Sequence, residues 1–403
     1  MHPRPTNSAE MTRVVLIVLC ALQVTMQLYV WIPIQDAVSE SYGGHNMTPA
    51  LSSALFGYAA GFLLFGPVTD RFGRRRVLIA GVSAMALLTL LVPWAPTPAL
   101  LGLIRVLQGF AGGAFSPSAL SYLGEALPRR TATTAIGAVS TAYLMAGVLG
   151  QVMASLITHA WGWQWVFWVS AAGLALNVLP LAFVMREQRG GDTSARVVSG
   201  FAAQARLLTR RDIAVPLAAV FVLMLSFVAM YTSLATQLVD ALHLPESMGT
   251  TIRLAGIPGM LVAPFVGSWV GKVGTETGAL VGYSLAAVGL AVEALGAGSV
   301  PVIIVGSNIF VAGIAIASTA MVTMFGDRAA PRRGAGTALY GFTVFLGASA
   351  APYLAHALGF RPLLGVLVAA LIGGAVLVAS SRRNASGPVK TTVDIGTQRS
   401  PLP

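Results

Sequence analysis

GPVTDRFGRRR, residues Gly66 to Arg76, separates two long apolar runs and packs one aspartate and four arginines into eleven positions. Each charge costs several kcal/mol in hydrocarbon, so the segment must be a short loop at a membrane surface. Four arginines mark that surface as the cytoplasmic one, because positive residues are retained inside.

Composition agrees with a chain that lives in a bilayer. Of 403 residues, 56% are hydrophobic and only 10% are charged, against roughly 25% in a soluble domain. Mean hydropathy is +0.77. The net charge of +11 is no nucleic-acid signal, since the arginines fall in short loops between apolar runs. Of 25 basic residues only Lys272 and Lys390 are lysines, a bias that points to a GC-rich bacterial source and to its inner membrane. Cys20 is the single cysteine, inside an apolar run, so no disulfide forms within the chain. The N-terminal MHPRPTNSAEMTR runs into an apolar stretch without a small-residue cleavage site, and no removable signal peptide is expected.

A spanning helix needs about 20 apolar residues. Twelve such runs are expected at 13–34, 50–69, 77–96, 100–124, 132–158, 164–185, 213–237, 251–271, 277–297, 300–324, 334–357 and 361–381. With the N-terminus inside, all but three of the 25 basic residues fall on the cytoplasmic side; the exceptions are Arg105 and Arg253 within spans and Arg361 at an outer loop. Asp36, Glu40, Asp240 and Glu246 fall outside. The asymmetry predicts both termini in the cytoplasm. The expected organisation is a tail at 1–12, a six-helix bundle at 13–185, a central cytoplasmic loop at 186–212, a second bundle at 213–381 and a disordered tail at 382–403.

The halves repeat. SYLGEALPRRTATTAIG (121–137) resembles TMFGDRAAPRRGAGTALYG (323–341), Gly66 matches Gly267, and Asp36 matches Asp240, at offsets of 201 to 204. Duplication predicts two pseudo-symmetric bundles around a shared pathway.

In the opening loop, Gly66 allows two helices to approach closely. Asp70 sits at a helix end, where it can accept from a neighbouring helix N-terminus. Arg74 can reach an acid on a nearby helix, and Glu125 at the inner end of span four is the candidate. The Gly66-x-x-x-Asp70-Arg71-x-Gly73-Arg74-Arg75 spacing resembles the signature loop between helices 2 and 3 of major facilitator superfamily transporters. The likeness covers about 13–381. It implies an all-α membrane protein of twelve transmembrane helices in two pseudo-symmetric six-helix bundles, working by alternating access. It also implies that Asp70, Arg74 and Glu125 latch the halves in the outward-facing state rather than bind substrate. The second copy, GSWVGKVG (267–274), has Gly271 where Asp70 stood, and the latch role is not transferred to it.

Arg105 is the charge most in need of an explanation. Arg105, Gln108 and Gly112 share one helix face, and Arg105-x-x-Gln108-Gly109 resembles the family's span-four motif, associated with proton transfer in antiporters. The alternative is a structural arginine snorkelling outward to Asp36. Span five departs from the drug–proton antiporter branch: Gly147 and Gly150 are present, but Val148 stands where a proline is expected.

Helical spacing nominates cavity residues: Gln23, Gln27 and Trp31 on span one; Tyr143 and Gln151 on span five; Phe227 and Tyr231 on span seven; Asn308 on span ten; and Tyr340 on span eleven. Trp161, Trp163, Trp165 and Trp168 read as an interfacial belt. Coupling needs a group that can exchange a proton, and Asp36, Arg105, Gln108, Arg253 and Glu293 are the candidates. No Walker loop, metal-ligand cluster or nucleophile elbow is present, so no enzyme activity and no cofactor are expected. The leading expectation is a monomeric, proton-coupled exporter of small, largely apolar compounds. The alternative is an organic-anion uptake or exchange transporter, and the remote one a non-transporting sensor.

Overall fold

The computed structural model describes residues 8–186, 197–238, 258, 263–330 and 333–385. The described elements are all helical: α1 Ser8–Tyr29, α2 Gln35–Ser41, α3 Thr48–Phe72, α4 Arg74–Leu91, α5 Pro98–Gly112, α6 Phe115–Ala126, α7 Arg129–Trp161, α8 Trp163–Val184, α9 Val197–Leu208, α10 Arg211–Thr236, α11 Ala263–Val273, α12 Thr275–Leu295, α13 Val300–Arg328, α14 Arg333–Ala357 and α15 Phe360–Ala385.

Ten helical stretches among the described residues are long and apolar enough to cross a membrane, and α7, bent by 41° between Tyr143 and Met145, makes an eleventh if it counts as one span. Two spans are built from pairs: α1 runs on through α2, and α5 through α6. The run expected at 251–271 lies largely outside the described residues, as do Arg253, Asp240 and Glu246. The chain is a multi-pass membrane protein.

Local chemistry explains where helices break. Gly73 closes α3 and opens α4 with φ of 93°, and Gly274 does the same between α11 and α12 with φ of 90°. Side chains rarely adopt that backbone region, and the two glycines are 201 residues apart, within the repeat. At α5, Thr97 accepts from the Leu100 amide at 3.2 Å, with Pro98 in the first turn, where its missing N–H costs nothing.

The packing repeats as well. In the first group α1 packs on α7 and α8, α3 on α5, and α4 on α5 and α8. In the second, α10 packs on α14 and α15, α11 on α13, and α12 on α13 and α15. The groups meet where α3 packs on α14 and α7 on α11.

Within the expected central segment, α9 lies against α3, α10 and α14. Its contact with α3 is keyed to a proline. Pro67 has no N–H, which leaves the carbonyl of Leu63 without its helical donor. Gln204 of α9 supplies one at 3.2 Å. A Cβ at Gly200 would lie 2.6 Å from the Pro67 ring, so glycine is what lets α9 seat there.

Candidate functional site

The ion pair expected between Arg74 of the opening loop and Glu125 is present. Arg74 reaches Asp70 at 3.0 Å and Glu125 at 2.9 Å, and also donates to the carbonyl of Thr69 at 3.2 Å. Thr69 in turn meets Ser118 at 2.9 Å, so α3, α4 and α6 are tied at one end. Arg75 donates to the carbonyl of Ala182 on α8 at 2.7 Å. Arg71 points outward over Phe72, and Gly66 faces the Cβ of Ala338 on α14. Asp70 is 63% exposed and finds its partner in Arg74.

The second group contains a counterpart that the loop motif does not reveal. Arg328 at the end of α13 pairs with Glu276 at the start of α12 at 3.0 Å. It also donates to the carbonyl of Asp212 at 2.6 Å and to Ser381 at 3.2 Å. In the first group the cation is on α4 and the acid on α6; here the charges are exchanged. Arg328→Ala should therefore lower the thermal midpoint in detergent, with a cost of about 1.5–3 kcal/mol for its charge-assisted bonds. Arg328→Lys should recover only part of that, because an ammonium cannot reproduce a guanidinium fork. Full recovery would count against the fork geometry.

Arg105 is fully buried and does not turn toward Asp36, which is exposed on α2. Its guanidinium donates to the carbonyl of Gln27 at 3.2 and 3.3 Å and to Gln108 at 2.6 Å. Gln108 then donates to Thr89 at 2.7 Å. The cation lies 5.1 Å from the Trp31 ring centroid and 6.0 Å from that of Phe167, a favourable arrangement when desolvated. No described carboxylate pairs with it. This core joins α1, α4, α5 and α8 within the first group.

Between the groups runs an aromatic seam. Tyr58 and Phe345 have ring centroids 4.5 Å apart, Phe62 and Phe345 6.3 Å, and Tyr29 and Phe227 6.4 Å. Phe227 continues to Tyr231 at 5.1 Å and Phe310 at 6.5 Å. A Cβ at Gly147 on α7 would lie 3.7 Å from the Phe227 ring. Behind the seam the hydroxyls of Tyr58 and Tyr143 both meet Ser116 at 2.9 Å.

The nominated cavity residues therefore separate. Phe227, Tyr231 and Tyr143 belong to the seam. Gln27 and Trp31 serve Arg105, and Gln23 accepts from Asn177 at 3.3 Å within the first group. Gln151 and Asn308 donate to carbonyls of their own helices, Gly147 and Ile304. Tyr340 donates to Ser318 at 3.3 Å inside the second group. Tyr29, Tyr58, Phe62 and Phe345 were not nominated, because an aromatic residue in an apolar run looks the same whether it meets lipid or the other half. Of the belt tryptophans, Trp161 and Trp165 are exposed and Trp168 packs between Trp165 and Trp94. Trp163 is instead buried, because the Ser41 hydroxyl satisfies its indole N–H at 2.8 Å. Among coupling candidates, Glu293 is fully buried on α12.

Several characterised transporters are similar in part. A gallate transporter of Pseudomonas putida is 35% identical over 136 residues, 34% of this chain and 29% of that protein. A gentisate transporter of Corynebacterium glutamicum is 27% identical over 160 residues, 38% of this chain and 36% of that protein. A multidrug resistance protein B homolog of Mycobacterium tuberculosis is 27% identical over 286 residues, 57% of this chain and 53% of that protein. The chain thus spans about a third to a half of the length of these relatives. The match to the Major Facilitator Superfamily profile extends much further, over residues 14–352, and the chain belongs to that superfamily.

Proposed function

We propose that this protein is a secondary transporter that exports small, largely apolar, ring-bearing compounds across a bacterial inner membrane in exchange for protons. It works as a monomer of twelve spans with both termini in the cytoplasm. The observation that carries this reading is the seam between the halves. Among the described residues, Tyr29, Tyr58, Phe62, Phe227, Tyr231 and Phe345 form ring pairs with one another along it. A pathway opened along that seam would offer apolar walls with a few hydroxyls, which suits a flat apolar solute. The named activity of the multidrug resistance relative favours the same class. Alternating access follows from the repeated packing of the two groups, with Arg74–Glu125 and Arg328–Glu276 holding the arginine-rich ends together.

Cells expressing the chain should accumulate less of a lipophilic fluorescent dye than cells expressing Tyr58→Ala with Phe345→Ala, and an uncoupler should remove the difference. Equal accumulation across a broad dye panel would sink the reading. One observation favours a second reading, transport of aromatic carboxylates: Arg105 is a buried cation without a carboxylate partner among the described residues, and gallate and gentisate transporters are among the relatives. Uptake of a labelled hydroxybenzoate with no effect on dyes would select it.

A further inference from the structure

Among the described residues, Arg105 is the one fully buried cationic side chain and Glu293 the one fully buried carboxyl, one in each half. They occupy related places. Arg105 lies between α4 and α5, whose repeat partners are α12 and α13, the pair that encloses Glu293. Ser307, at an offset of 202 from Arg105 within the 201–204 range of the repeat, is the residue that donates to Oε1 of Glu293. Where the first half keeps a cation, the second half keeps a carboxyl.

The site is built to admit that carboxyl. A Cβ at Gly306 would lie 2.6 Å from Cγ of Glu293, so the glycine on α13 makes room for the side chain. Oε2 of Glu293 has no hydrogen-bond partner among the described residues. The helices packed against α12 are α11, α13 and α15. Their described charged side chains are Lys272, Asp327, Arg328 and Arg361. Lys272, Asp327 and Arg328 sit at the Glu276 end, where Arg328 pairs with Glu276. Arg361 begins α15 at the Glu293 end but is exposed and makes no ion pair among the described residues. Glu276 and Tyr283 are the titratable groups on α12 itself. Binding a proton at Oε2 removes the cost of a buried, unpaired charge, and functional carboxyls inside membranes recur in proton relays.

We propose that Glu293, with Ser307 as its donor, is the proton-binding site of the second half and carries the ion exchanged against substrate. The step is a reversible protonation: Oε2 takes a proton from one side of the membrane and gives it up to the other, with no other bond made or broken. The proposal rests on the proton-exchange reading above.

Infrared difference spectra of the purified protein, recorded across a pH titration, read a buried carboxyl directly and need no substrate. The wild type should show a protonated-carboxyl C=O band that titrates, and Glu293→Gln should lack it. In proteoliposomes Glu293→Gln should lose uphill movement of a lipophilic dye driven by a pH gradient while still exchanging dye for dye. A band that persists in Glu293→Gln, or a variant that still pumps uphill, overturns the proposal. A wild type that titrates this carboxyl but gains nothing from a pH gradient overturns the coupling reading instead, and the transport role with it. If Glu293→Gln does not fold, Ser307→Ala carries the test: the titration midpoint should move by about one pH unit for a lost hydrogen bond. An unmoved midpoint overturns the site.

Discussion

Arg105→Ala should leave a protein that folds and inserts but transports roughly 10- to 100-fold more slowly. Three bonds from the guanidinium hold the carbonyl of Gln27 on α1 and the amide of Gln108 on α5, and the cation is stacked against Trp31 and Phe167 on α1's continuation and α8. A charge-assisted bond is worth about 1.5–3 kcal/mol. If one of these bonds changes between the alternating states, its loss appears as roughly a 10- to 100-fold change in rate. Folding is expected to survive, since truncation removes the buried cation along with its desolvation cost, leaving the Gln108–Thr89 bond in place. Arg105→Lys should rescue little, because an ammonium cannot fork to Gln27 and stack on an indole together. Initial dye-transport rates in proteoliposomes, set against the thermal midpoint of the same preparations, separate transport loss from unfolding. Full transport by Arg105→Ala would remove the residue from the mechanism.

Local and charge-based features of the fold were legible in the chain. Arginine placement and apolar run length foretold the spans that the structure describes, and Glu125 was nominated as the partner of Arg74; the pair of Arg74 with Asp70, which bridges the helix break at Gly73, was not foreseen. Glu125 could be matched to Arg74 because it is the acid at the inner end of span four, on the same side as the loop. The Arg328–Glu276 pair was not legible by the same route. It lies at the repeat-related place but with acid and base exchanged, and the position that matches Asp70 is Gly271, which carries no charge to mark it. The Arg105 network was half legible: its burial and its face with Gln108 follow from helical spacing, but its acceptor is a backbone carbonyl, which no side-chain pattern marks. The contact of Gln204 with Leu63 spans 141 residues and depends on what Pro67 leaves unbonded. Pairings of that kind, like that of Tyr58 with Phe345, exist only once tertiary packing has chosen which apolar face meets the other half.

Gly109→Val should nearly abolish the yield of folded protein, whereas Gly102→Val, seven residues earlier on the same helix, should be recovered at close to the wild-type level. A Cβ at Gly109 would lie 2.0 Å from the carbonyl oxygen of Ala54, and one at Gly57 would lie 2.1 Å from that of Val106. At this crossing α3 and α5 touch backbone to backbone, the close approach that small residues permit in membranes. A Cβ at Gly102 meets nothing within 4 Å, so the same exchange there tests helix propensity and lipid contact alone. Overpacking a tight core costs roughly 1–3 kcal/mol and sometimes more. Here the atom that must yield is backbone, so the helices themselves have to separate. Separation would also displace Arg105 and Gln108, which flank the crossing on α5, and would withdraw the guanidinium from Gln27. Gly109→Ala, with a single added methyl, should fall between the two and lose transport before it loses fold. Size-exclusion profiles in mild detergent, with thermal midpoints of the monodisperse fractions, give the ranking. Equal recovery of Gly109→Val and Gly102→Val would mean that α3 and α5 do not cross in contact at Ala54, and the position assigned to Arg105 would fall with them.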